Sequence, residues 1–350
     1  MKAYPSLSAG WSWLSARRPA GWFLLLAVNL AILCLLVFLL EVSSWAWHAI
    51  RRDKVEIRHR QFNYMELEDT LGYRLLPCVS GNILHQVGAD TLYLTTVSTD
   101  SLRRRSTTAS SMAPDTLPYH AIFVGCSFTF GHSVSDHETL PSFFSARHAA
   151  YQAYNYGVQG YGTQHLPFVL DRIDREQDIP QQDGFMVYTF IDDHVRRVIG
   201  SKQSIWFTHG FPYFEPEDGK PVYKGQFDKD RRLTTSLYQL LWKSEFLKFF
   251  KFDLPLELAP EHYRLTAALI RSTADRYRRK FGNDRFFVLI YPGQRNEIVS
   301  YLDPDIQVID LSGAWPAQKW EVDGHPEVQA YSTLADMLAD TLRSKGVPGL

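Results

Sequence analysis

The sequence predicts an α/β protein: a three-layer α/β/α sandwich built on a parallel sheet and preceded by one transmembrane helix. Three observations predict it. The run at 121–124 is wholly apolar, and those at 185–191 and 285–291 nearly so, with Thr189 and the opening Arg285 as their only polar residues, the pattern of strands buried on both faces. Helical stretches separate them, so strand alternates with helix, which implies parallel pairing through crossover helices. Ahead of all this, Ala20 to Leu40 is almost wholly apolar, with Asn29 its one strongly polar interruption.

At about 1.5 Å per residue that run crosses a bilayer core of about 30 Å. Trp22 on one side and Trp45 and Trp47 on the other suit the interfaces. An uncleaved anchor over residues 20–42, after a short tail at 1–19, is expected rather than a signal peptide. The run is too long for one, and no small-residue cleavage site precedes Arg51 and Arg52. Flanking charge does not settle orientation. Lys2, Arg17 and Arg18 precede the span; Arg51, Arg52, Lys54, Arg58 and Arg60 follow it, diluted by Asp53 and Glu56. Counting alone leans toward a C-terminal part on the cytoplasmic side.

A chain of 350 residues has room for that anchor and one large domain. Its net charge of -1 leaves no broad basic surface, so nucleic acid is not an expected partner. The 14% aromatic content suits either an apolar or sugar-facing cleft or plain packing. Cys34 falls in the apolar run, Cys78 in a loop and Cys126 beside Ser127, a distribution without the look of a disulfide framework.

Residues 43–118 read as a juxtamembrane stalk and a small β-containing segment. Val55 to Leu71 is polar, charged and mildly helical; Leu71 to Gly88 is turn-rich; Thr91 to Val97 is strand-like. Ser101 to Pro118 reads as an exposed loop and domain boundary, with Arg103, Arg104 and Arg105 on a solvated face. From 119 to 350 the alternation runs through helices at 138–150, 163–176, 261–281 and 326–343 and strands at 152–156 and 307–311. Residues 202–260 interrupt it with Trp206, Phe207, Phe211, Tyr213, Phe214 and Tyr223, then an amphipathic stretch from Thr234 to Phe252. That is too long for a simple connection, and reads as a lid or substrate platform, or as additional core.

The chemistry-bearing residues sit where strands end. Ser127 lies just past the strand of Ala121 to Val124, between Gly125 and Gly131, placed as a nucleophile on a strand-to-helix turn. Asn155-Tyr156-Gly157-Val158-Gln159-Gly160 follows the next strand, and its glycines allow backbone N–H groups to face a substrate oxygen. Ile191-Asp192-Asp193-His194 follows the third. Asp323-Gly324-His325-Pro326 precedes the last helix, where His325 would act as general base and Asp323 would orient it.

These four segments, in this order, resemble the four blocks of the SGNH hydrolases, also called GDSL esterases. The resemblance covers about Ala121 to Leu342. It implies a flavodoxin-like sheet, Ser127 as nucleophile, Gly160 as an oxyanion donor, and no obligatory cofactor or metal. It further implies cleavage or transfer of acyl groups at oxygen esters, and, for anchored relatives, an envelope polysaccharide as acceptor or substrate. Three departures stand out. Cys126 replaces the usual Asp of the first block. The third block lacks its Asn, leaving Asp192, Asp193, His194 or Arg196 to fill that place, or the third donor to be dispensed with. Asp323 stands two residues before His325, with Val322 in the usual place three before. An ionised carboxylate cannot donate to an oxyanion. The resemblance places the soluble domain outside the cytoplasmic membrane, against the charge count. The departures also support another class, a catalytically silent, membrane-tethered module that binds glycan or a partner on the same fold. A nucleotide-binding domain is disfavoured by the absence of the Gly-x-x-x-x-Gly-Lys-Ser/Thr pattern.

Overall fold

The computed structural model describes residues 19–51, 57–60, 62–87, 90–107, 117–314 and 324–350. The N-terminal tail, Arg52, Lys54, Val322 and Asp323 fall outside them. Two compact units emerge. One holds the first helix, α1 (Pro19–Arg51), and the segment Ser244–Phe252; the other holds the described residues of Asp53–Lys243 and Asp253–Leu350. Within α1, Trp22–Ile50 is long and apolar enough to span a membrane, and none of its most apolar stretch is buried by protein.

The larger unit begins with short antiparallel strands: β1 (Ile57–Arg60), β2 (Met65–Glu68), β3 (Gly72–Leu75), β4 (Ser80–Val87) and β5 (Asp90–Ser98). β1, β4 and β5 form one small sheet, and β2 pairs with β3 as a hairpin. β1 and β2 are therefore strands where the charged pattern suggests a mild helix. Helix propensity of isolated polar residues is a weak prior that pairing partners override.

The five-stranded sheet follows. Its strands are β6 (Tyr119–Gly125), β7 (Tyr151–Gly157), β8 (Asp183–Phe190), β11 (Phe286–Ile290) and β12 (Gln307–Asp310). All pairings are parallel, in the order β7-β6-β8-β11-β12. Between them lie α2 (Ser127–Phe130), α3 (Leu140–Arg147), α4 (Leu166–Arg172), α5 (Asp193–Val198) and α6 (Ile205–Thr208). A hairpin, β9 (Pro212–Glu217) with β10 (Lys220–Gln226), leads to α7 (Phe227–Asp230), α8 (Arg232–Trp242), α9 (Glu245–Phe249) and α10 (Pro260–Phe281); α11 (Val328–Ser344) closes the chain.

Side chains alternate along β6 and so divide the core. Ala121 and Phe123 face α3 and α11 with Phe144, Tyr331, Leu334 and Leu338. Ile122 and Val124 face α4 and α10 with Leu170, Ile270 and Tyr277. These are the outer layers of the α/β/α sandwich. Strand order reverses between β6 and β8, and in such sheets ligands bind outside the strand ends at that reversal.

Two buried histidines give this core an acid limit. His120 lies between the carbonyl of Gln181 and the Tyr277 hydroxyl, and burial lowers its pKa to about 4. His165 stacks on Tyr161 at 3.8 Å, and burial lowers it to about 3. Both bind protons more weakly folded than unfolded, so the unfolded chain gains protons first as pH falls below about 6.5. Stability therefore drops between about pH 6.5 and 4. Unfolding by denaturant should show a loss of about 2 kcal/mol per histidine between pH 7.5 and 5; equal stability at the two values would contradict it.

Candidate active site

Ser127 opens α2 directly beyond β6, the strand beside the sheet's reversal point. The turn demands glycine at Gly125, whose φ is +152°, because a β-carbon there would sit 2.4 Å from Thr129 Oγ1. Thr129 Oγ1 donates to the carbonyl of Val124, and the N–H groups of Thr129 and Phe130 donate to that of Cys126. The apolar run ends and a single helical turn begins within three residues.

β7 fixes this turn from the side. Asn155 Nδ2 donates to the carbonyl of Thr129 at 3.1 Å, while its Oδ1 accepts from the N–H of Gly157. Gly157 passes so close that a β-carbon would lie 2.4 Å from the Phe130 nitrogen.

Arg105 fixes it from below. Its side chain is fully buried, donating to the carbonyls of Phe130 (2.7 Å), Gly131 and Val134 (2.6 Å) and to the Asp136 carboxylate (3.0 Å). The guanidinium also lies 4.6 Å over the Phe130 ring. Arg104 pairs with Asp100 and stacks over Tyr154, and Arg103 pairs with Glu66. The solvated face expected for the arginine run is thus corrected. A charge run is exposed only if no carbonyls or carboxylates converge on it, and three-dimensional convergence is not visible in local sequence.

The N-terminal strands contribute here too. Tyr64 stacks on Phe130 at 5.9 Å, and Leu71, Leu75, Ile83 and Val97 complete that cluster. Tyr64 donates to Gln159 Oε1 at 2.5 Å, and Gln159 Nε2 contacts His132 Nδ1.

His325 reaches this turn from the far end of the chain. Its Nε2 lies 2.9 Å from Ser127 Oγ. Gly324, at φ +80°, turns the backbone just before it. Ser133 Oγ donates to the carbonyl of Pro326 at 2.8 Å, and the imidazole packs against His132 (4.5 Å) and Phe128 (5.8 Å). Phe128 is itself held edge-on by Tyr291. The helix starts at Val328 rather than Pro326, so His325 lies three residues before it.

The remaining sequence candidates lie as follows. Gly160 has φ +79°, and a β-carbon there would collide with Tyr73 Oη, which donates to the carbonyl of Gln159. Asp192 accepts from the Arg295 N–H at 3.0 and 3.1 Å, and its own N–H donates to Gln294 Oε1. Burial raises its carboxyl pKa. Asp193 is exposed, 3.7 Å from Arg197. His194 is fully buried, its Nδ1 2.6 Å from the Tyr188 hydroxyl, which in turn meets Thr163 Oγ1. Burial holds His194 neutral. Arg196 pairs with Asp253. The contacts of the 192–196 segment are thus with these neighbours rather than with Ser127 or His325. Among the described residues no three His, Cys, Asp or Glu side chains converge as metal ligands would.

Two supports of the site escape the sequence reading. Arg105 carries no local signal. Ser133 is an ordinary serine until the chain end folds onto it.

No family model and no curated protein matches the sequence. Several solved structures are similar to parts of the chain. An acetyl xylan esterase from the rumen bacterium Butyrivibrio proteoclasticus matches at 10% identity and a TM-score of 0.38, over 66% of this chain and 64% of that one. The chain thus spans under two thirds of that esterase's length. A family two carbohydrate esterase from Clostridium thermocellum matches at 12% and 0.36, covering 77% and 82%. A member of the lipolytic protein G-D-S-L family from Veillonella parvula matches at 10% and 0.36, covering 64% and 98%. At these values the likenesses carry no assignment of activity.

Proposed function

We propose that the chain is a membrane-anchored serine acyl-ester hydrolase or O-acyltransferase of the SGNH type. The observation that carries this reading is the 2.9 Å separation of Ser127 Oγ and His325 Nε2, at the end of the strand beside the sheet's reversal point. A hydroxyl is a weak nucleophile until an adjacent base takes its proton.

In this reading His325 Nε2 accepts the Ser127 proton as Oγ attacks the acyl carbon. That requires the other imidazole proton on Nδ1, and Asp323 is the assigned partner for it. The backbone N–H groups of Ser127 and Gly160 receive the developing oxyanion. His325 then protonates the leaving alcohol. Water or an acceptor hydroxyl, activated by the same imidazole, releases the acyl group. Asp192, Asp193 and His194, which follow β8, remain candidates for the substrate side. The substrate assigned is a carbohydrate ester of the cell envelope, and the domain is assigned to the outer side of the cytoplasmic membrane. A reporter fused after Leu350 should be active outside the cytoplasm; activity only within it would overturn that placement.

The full-length protein in detergent should hydrolyse a small aryl acetate, and Ser127→Ala should abolish turnover while leaving the thermal transition in place. Undiminished turnover by the folded variant would overturn the assignment.

A further inference from the structure

Helix α9 offers a surface whose occupant can be named. About 20 residues cross a bilayer core. Counted from Trp22, the core is traversed near Glu41, so residues 41–50 of α1 lie in the interfacial layer. That is where α9 is seated. The Glu41 carboxylate accepts from the Ser244 hydroxyl and from the N–H groups of Glu245 (2.8 Å) and Phe246 (3.3 Å). Ser244 Oγ in turn caps the Leu247 N–H. Trp47 meets the Phe249 ring edge-on at 5.7 Å. A carboxylate at the end of an apolar span is thus spent on docking a short helix beside the interfacial tryptophans.

The docked segment is apolar on its free side. Phe250 and Phe252 are exposed, at 55% and 44%, while Phe249 lies against Trp47. Lys243 precedes the segment and Lys251 stands between Phe250 and Phe252, both lysines exposed. One residue earlier in the chain, α8 ends. Its Leu233, Leu237 and Leu240, spaced four and three, share one face and stand 90%, 51% and 65% exposed. Arg232 opens the helix and is exposed. Aromatic and leucine faces bordered by Lys and Arg are the composition of helices that lie in the plane of an anionic membrane surface.

We propose that two segments bind the bilayer that α1 spans: α8 through its leucine face, and the end of the docked segment through Phe250 and Phe252, each entering the headgroup and upper acyl region. The inference rests on α1 crossing the membrane and not on the chemistry at Ser127. It gives the insertion in the sheet domain a role other than lid or added core: a second attachment holding the chain against the lipid surface.

The test uses the full-length chain in vesicles of phosphatidylethanolamine and phosphatidylglycerol containing a phospholipid with a diazirine in its upper acyl chain. After irradiation, adducts are mapped by peptide mass spectrometry. Adducts within Trp22–Leu40 serve as the internal standard. The expected result is further adducts on Leu233–Leu240 and on Phe250–Phe252. In a Leu233→Glu, Leu237→Glu, Leu240→Glu variant, whose altered positions are exposed, the α8 adducts should fall by at least about five-fold while those of α1 persist. Adducts confined to α1 would overturn the proposal. So would cross-links between copies of the chain at 232–252 in place of lipid adducts, which would mark the face as a self-association surface.

Discussion

His325→Ala should lower kcat for aryl acetate hydrolysis by about 10³-fold or more, and adding Ser127→Ala should cost almost nothing further. The two side chains act as one unit: without the base, Ser127 keeps its proton, and without the serine, the base has nothing to activate. Strong non-additivity is the signature of that dependence. Losses that multiply in the double variant would mean that His325 acts on something other than Ser127. The imidazole is held by Phe128, His132 and the Ser133 bond to Pro326, so Ser133→Ala should give a smaller loss of the same kind.

Arg105→Met should destabilise the larger unit by about 3–5 kcal/mol, because removing one partner of a buried ionic network leaves the others unpaired. The carbonyls of Phe130, Gly131 and Val134 and the Asp136 carboxylate would all lose a donor at once. Denaturant unfolding of the purified protein reads this directly. A change below about 0.5 kcal/mol, the range of ordinary surface substitutions, would show that the arginine is dispensable. Since the same carbonyls end the helical turn that Ser127 begins, activity measured below the unfolding transition should fall as well.

The central sheet was legible because a parallel strand buried on both faces leaves a nearly uninterrupted apolar run, as at Phe185–Ile191. The serine and the histidine were legible because each ends or precedes an element in a recognisable order. Of the N-terminal strands only β5 was legible, through Thr91 to Val97; the charged and turn-rich stretches before it did not read as strands. β2 reads Met-Glu-Leu-Glu, yet Leu67 is 90% exposed, so its alternation does not report a core face. Arg105 was misread for a related reason: most of its partners lie 25 to 31 residues away, and only the folded chain brings them to it. Residues 191–194 do follow β8, as the apolar run before them suggests, but which of their groups would serve a substrate was left open by the sequence. In the fold Asp192 grips the loop after β11 through the Arg295 N–H.

The most direct measurement is to treat the full-length protein with a fluorophosphonate and map the adduct. A single adduct on Ser127 that disappears in His325→Ala is the predicted result, since only an activated serine displaces the leaving group at phosphorus. A folded protein that forms no adduct on Ser127 would contradict the account and return the chain to the class of silent, membrane-tethered binding modules.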